Sequence, residues 1–206
     1  MAHGKRLLMD AALRLSARAD ATQALSLREV AREAQLNHNT FYRHFDSMEE
    51  LLRGVVDEFC AALRTGINEA RARAGDPNRF TEVVMSWLLD FAVANPEAFA
   101  VSFRVLHGPP SQARDDARAT VQQLEGDLLD ALVSSPLLGH LGADALRLPV
   151  RVIVAQSFAA CVRHVEQAEQ GGARKAEHKA ECIAEARLLF ETLVLGTLAR
   201  QPRQAG

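Results

Sequence analysis

The nine residues NHNTFYRHF at positions 37–45 carry two His, two Asn, an Arg, a Tyr and a Thr on little more than two helical turns. Burying that set would leave many polar groups to satisfy, so it makes a poor core and a reasonable contact surface. The chemistry on offer is that of nucleic-acid recognition. Asn39 can bond bidentately to an adenine edge, and Arg43 can take a guanine edge or clamp a phosphate. Tyr42, Thr40, His38 and His44 can donate to phosphate oxygens, which hold register without reading sequence. Asn37 is suited to be the N-cap of this segment, and Arg28, just upstream, adds a cation in the first turn of the preceding helical pattern. Phe41 and Phe45, four apart, give the segment one inward face.

Such a segment is useful only if its neighbours hold it rigidly. Residues 5–18 place Leu7, Leu8, Ala11, Ala12 and Leu15 on one stripe, which predicts a first helix. Ser26 with Glu29 spells a capping box, and Leu27, Val30, Ala31 and Ala34 follow at helical spacing. QLN at 35–37 breaks that helix, and the polar segment is expected to be helical from Asn37 to about Phe45. Ser47 with Glu50 forms a second capping box, opening a long helix with the stripe Leu51, Leu52, Val55, Val56, Phe59, Leu63 and Ile67. Two short helices joined by a tight turn make a helix-turn-helix, whose second helix enters the major groove of DNA.

The remainder reads as further helices of greater apolarity: FTEVVMSWLLDFAVA, PEAFAVSFRVLH after Asn95-Pro96, a helix over about 111–134, LPVRVIVAQSFAACVRHVEQ, and a last one after GGARK. Nine helices and no strand pattern give an all-α class. Net charge is -2, which excludes a strongly basic nucleic-acid coat protein, although residues 1–53 hold eight Lys and Arg against seven Asp and Glu. Cys60, Cys161 and Cys182 are too widely spaced for a metal knuckle and read as free thiols in a reducing cytoplasm. His178 and Cys182, four apart, are too few ligands for a metal site by themselves. No apolar run approaches the ~18 residues of a membrane span, and no leader pattern is visible at the N-terminus. A helical enzyme would be the rival class, but no Gly-rich phosphate loop, nucleophile elbow or HExxH is present; no catalytic residue, cofactor or metal is assigned.

The order R-x-V-A-x-E-A-x-L-N-x-x-T-F-Y-R-H-F-x-S-x-E-E-L, at 28–51, resembles the N-terminal motif of the TetR family of transcriptional regulators. The resemblance implies a nine-helix TetR-like architecture. Residues 1–50 would be a three-helix DNA-binding headpiece, and 51–206 a ligand-binding and dimerisation domain. It also implies a homodimer on a palindromic operator, acting as a repressor that a small hydrophobic effector controls. SLREVAREA, FYRHF and MEEL are most similar to the branch that represses unsaturated fatty-acid synthesis, which implies an acyl-CoA or acyl-carrier thioester as effector; a drug-like or aromatic ligand and control of efflux is the alternative. The expected cavity lining is Trp87, Phe91, Phe99, Phe103, Leu124, Leu128, Phe158, Cys161 and Val162, with Arg104, His107, Arg151, Arg163 and His164 as candidates for an anionic head group. The expected dimer contacts are Val152, Phe158, Ile183, Leu188, Val194 and Leu198. Two positions depart from the family pattern. Gln35 stands where many members have Gly at a left-handed helix end, and Met48 where many have a phosphate-binding Lys.

Overall fold

The computed structural model describes residues 3–18, 25–75, 79–169 and 175–200. Among these residues the regular structure is nine α-helices and one 3-10 turn at Gly139–Leu141, with no strand. In chain order they are α1 His3–Arg18, α2 Leu27–Glu33, α3 His38–Phe41, α4 Met48–Ala74, α5 Phe80–Ala94, α6 Pro96–His107, α7 Gln112–Val133, α8 Ala143–Glu169 and α9 Lys175–Arg200.

The helix boundaries follow capping chemistry closely. Ser26 accepts from the Glu29 backbone N–H while the Glu29 carboxylate takes the Ser26 backbone N–H, a complete capping box. At the head of α4 Ser47 caps the Glu50 N–H at 3.1 Å, but the Glu50 carboxylate reaches one residue further back, to the N–H of Asp46 at 2.5 Å. Two expectations are corrected. α3 is four residues long instead of running to Phe45, because the chain leaves the helix in tight turns: the His44 N–H already bonds the Phe41 carbonyl at 2.8 Å. α8 begins at Ala143, five residues before the expected start. Pro149 lies inside it, where it lacks a backbone donor yet does not end the helix.

The chain divides into two compact units. One comprises residues 1–63 and 95–119, the other 64–94 and 120–206, so α4 and α7 each contribute to both. Within the first of these units α6 packs on α1. Val101 joins Leu8, Val30, Phe41, Phe45, Leu51 and Val55 in one buried cluster, and Arg104 donates to the Ser16 carbonyl. Burial of Phe41, which is fully enclosed, contributes roughly 1.5–3 kcal/mol. In the second unit α5, α8 and α9 pack on one another, with Leu128, Val150 and Val154 at a buried centre. Gly66 is required there by close approach: a Cβ at this position would stand 1.9 Å from Cζ2 of Trp87.

α8 is also long and apolar enough to cross a membrane, which the sequence reading did not anticipate. Its composition has another use here. Val150, Val154, Ala160, Cys161 and His164 are buried, on a helix that packs against α5 and α9.

Candidate DNA-binding surface and effector cavity

The turn between α2 and α3 is set by one backbone feature. Gln35 has φ 56, the only positive φ at a non-Gly position among the described residues. Its N–H bonds the Arg32 carbonyl at 3.0 Å, and the Leu36 N–H bonds the Ala31 carbonyl at 2.9 Å, which together form a Schellman helix end. Two residues later Asn37 caps α3, its side chain accepting from the Asn39 N–H at 3.0 Å. Arg14 holds α1 to α2 through Glu33 at 2.9 Å.

This frame brings the expected contact residues onto one short segment. Arg28, Asn37, His38, Asn39, Tyr42 and Arg43 are exposed, and Tyr42, 60% exposed, keeps its ring edge-on to buried Phe41 at 5.7 Å. Thr40 and His44 are half-buried instead. They lie over Gly4 of α1, where an added Cβ would come within 2.8 Å of His44 Nε2 and 3.7 Å of Thr40 Cγ2. Lys5 sits over the Phe45 ring at 5.3 Å, so the start of α1 supports the recognition segment, a role its amphipathic pattern did not announce. Met48 is partly buried against the headpiece core.

The second unit contains a cavity of about 990 Å³, large enough for a drug-sized or lipid-like molecule. Of the residues named for a lining, Leu124, Leu128 and Phe158 are in its wall. The other expected lining residues are placed elsewhere. Phe99 is buried edge-on to Phe59, and Phe103 stacks near His107, whose ring bonds the Phe103 carbonyl at 2.9 Å; both belong with Arg104 to the unit that holds the headpiece. Trp87 stacks on Phe91 at 4.8 Å, and Trp87, Phe91, Cys161 and Val162 are outside the lining. Among the expected cations only Arg163 reaches the cavity, and it is paired with Glu185 at 3.2 Å; Arg151 is exposed on α8. Sequence reasoning missed Arg71 and Phe80, and also Leu189 and Phe190 of α9, all of which line the wall. Helical periodicity carries no signal for them, because it marks apolar faces without saying which neighbour each face meets.

Of the expected dimer contacts, Leu188 is 65% exposed, Leu198 is exposed, and Val152 and Ile183 are half-buried. Phe158 and Val194 turn to the cavity instead. Leu195 is as exposed as Leu188 and lies seven residues on, two turns along the same stripe of α9.

One buried polar cluster lies between α8 and α9. Nδ1 of fully buried His164 is 3.1 Å from Nδ1 of His178, and Cys182 Sγ is 3.7 Å from the latter. The two rings are parallel to 2° with centroids 5.4 Å apart. That separation is close to the Nδ1–Nδ1 distance plus two ring radii, so the rings meet edge to edge, as one N–H···N bond requires. In that bond one Nδ1 carries the proton and the other accepts it, and no group of three or more His, Cys, Asp or Glu arranged to hold a metal occurs among the described residues. Burial pushes the Cys161 thiol up to about 12, with nearby Cys182 adding to the effect, and burial likewise raises Cys182.

The architecture is TetR-like. The fatty acid degradation regulator FadR from Bacillus halodurans superposes with a TM-score of 0.68 at 15% identity, covering 95% of this chain and 97% of that one. A TetR-like transcriptional regulator from Rhodococcus sp. RHA1 gives 0.65 at 20% identity over 98% of both chains. A tetR-family transcriptional regulator from Streptomyces coelicolor gives 0.62 at 19% identity, covering 99% of this chain and 92% of that one. Residues 8–55 match the family described as bacterial regulatory proteins, tetR family, a match that spans α1 to the first turns of α4. Together these findings show a TetR-like fold whose N-terminal segment matches the model of that family.

Proposed function

We propose that the chain is a homodimeric repressor that binds a palindromic operator through α3 and is controlled by a small amphiphilic effector held in the cavity of the second unit. The observation that carries the DNA-binding part is the rigidly capped turn at Gln35–Asn37, which presents Arg28, Asn39, Tyr42 and Arg43 together. A two-fold pairing through the exposed stripe of Leu188 and Leu195 would supply the second recognition segment that a palindrome needs. The effector acts by binding one conformation of the dimer better than the other, because a ligand with equal affinity for both shifts nothing. α4 is the element suited to carry that difference, since its residues 48–63 belong to one unit and 64–74 to the other.

For the effector, we favour an acyl-chain compound and control of lipid-metabolism genes. The headpiece resemblance and the likeness to a fatty acid degradation regulator support it. So does a largely apolar wall of Leu, Val and Phe residues. The efflux alternative would be favoured by unpaired acidic groups in the wall; Glu185 is answered by Arg163, and Glu191 is the other acidic residue of a lining that also holds Arg71 and Arg187.

The test is selection of bound fragments from the source genome by purified protein at near-physiological salt, with wild type and Tyr42→Phe in parallel. An enriched palindrome that the variant holds more weakly, by about 1 kcal/mol per subunit, is expected. No enrichment, with or without an acyl ligand, overturns the regulator reading. A palindrome found only beside efflux genes overturns the lipid assignment.

A further inference from the structure

Arg71 occupies an unusual position in the cavity wall. It stands on the last turns of α4, its guanidinium lies over the Phe80 ring at 5.6 Å, and its Nε is buried with no hydrogen-bond partner. A buried charged donor without a partner is costly, and the cost is recovered when an acceptor arrives. The nearest opposing charge does not serve as that acceptor. Asp127 stabilises the cation from a distance, but no ion pair within 4.0 Å joins it to Arg71; its Oδ2 lies 3.6 Å from Nε of Arg64. Burial is the stronger influence and weakens the hold of Arg71 on its proton, although an arginine keeps its charge at any physiological pH. Arg163, the one expected head-group cation that also lines the cavity, is already paired with Glu185, and Arg187 of the wall is exposed.

We propose that Arg71 is the anchor for a carboxylate inside the cavity, so that the effector is a free apolar carboxylic acid and not its thioester. A planar guanidinium presents paired N–H donors that match two carboxylate oxygens, and its central carbon lies over the Phe80 ring at 5.6 Å. The apolar body of the acid lies against Leu124, Leu128, Ile153 and Phe158. A thioester offers one neutral carbonyl oxygen at the equivalent point and cannot form the two-pronged contact. This inference rests on the reading of the cavity as the effector site.

The experiment is calorimetric titration of the full-length protein with dodecanoate, dodecanol and dodecanoyl-CoA, repeated on Arg71→Gln and on Leu128→Trp. Wild type is expected to bind dodecanoate at least tenfold more tightly than either dodecanol or dodecanoyl-CoA. Arg71→Gln should weaken dodecanoate by about 10- to 100-fold, the scale of a lost charge-assisted pair, and leave dodecanol unchanged. Arg71→Lys, which keeps the charge and loses the fork, should fall between and serves if the Gln variant does not fold. Dodecanoyl-CoA binding as tightly as dodecanoate, or Arg71→Gln retaining wild-type affinity while Leu128→Trp abolishes binding of all three, overturns the anchor and leaves the cavity reading standing. Binding by none of the probes, or binding untouched by Leu128→Trp, overturns the cavity reading and the anchor with it.

Discussion

Gln35 is the one non-glycine residue held at a positive φ among those described, and replacing it by glycine should stabilise the protein. At φ 56 the Cβ of an L-residue crowds the backbone, at a cost of roughly 1 kcal/mol that glycine does not incur. The position is exposed, so the Gln side chain contributes no buried contact that would be lost. Both hydrogen bonds of the helix end, Gln35 to Arg32 and Leu36 to Ala31, are made by backbone atoms and survive the change. Against this stands the greater freedom of glycine in the unfolded chain, of order 0.4–1 kcal/mol. The net expectation is a gain of between zero and about 0.6 kcal/mol, which for a chain of this size raises Tm by up to roughly 2 °C. Gln35→Val, β-branched and intolerant of this backbone region, should lower Tm by a comparable or larger amount. Scanning calorimetry on the three proteins decides the matter. A clear fall in Tm for Gln35→Gly, or no penalty for Gln35→Val, would refute a left-handed residue at this turn.

Gly66→Ala drives a methyl group into the Trp87 ring and should cost about 1–3 kcal/mol through overpacking, read as a lower urea midpoint; an unchanged midpoint would mean that α4 and α5 are not so closely packed. Cys161 should resist iodoacetamide at pH 8 in the native state and react once unfolded, since its thiol titrates at about 12 in a buried site, and mass spectrometry locating the label on Cys161 of folded protein would contradict that. The same group ties stability to alkaline pH. Its folded value lies above the ordinary 9.0, so its contribution is intact below pH 9 and is lost as pH rises toward 12. Cys161→Ala should flatten that decline in a denaturation series from pH 8 to pH 11, and an unaltered decline would assign it to other groups.

The headpiece was legible because its signals are local. Capping residues, the Phe41–Phe45 spacing and the misfit residue at 35 each act within four or five positions, and each appears in the fold where the residues place it. The larger unit was legible only as a set of helices. α8 and α9 are apolar on more than one face, and periodicity cannot say that Phe158 and Val194 turn to a cavity while Leu188 and Leu195 face solvent. α6 illustrates the same gap. Its Phe99 and Phe103 are as apolar as any lining residue, yet α6 packs on α1, a contact between segments some ninety residues apart that neither composition nor period encodes. The start of α8 differs for another reason: the apolar run begins at Leu148, whereas the helix already starts at Ala143 and carries Pro149 inside it.

The chain has a single tryptophan and a single tyrosine. Trp87 is on α5 in the unit that holds the cavity, stacked on Phe91 with Gly66 at its ring edge, whereas Tyr42 is exposed on the recognition segment. The protein is therefore spectroscopically labelled at two points without any engineering. Light absorbed only by indole reports on the surroundings of Trp87, where α4 and α5 meet, while the phenol reports on an exposed point beside α3. A titration followed at the indole-only edge and again where both rings absorb separates an event at Trp87 from one at Tyr42, once the indole share is subtracted.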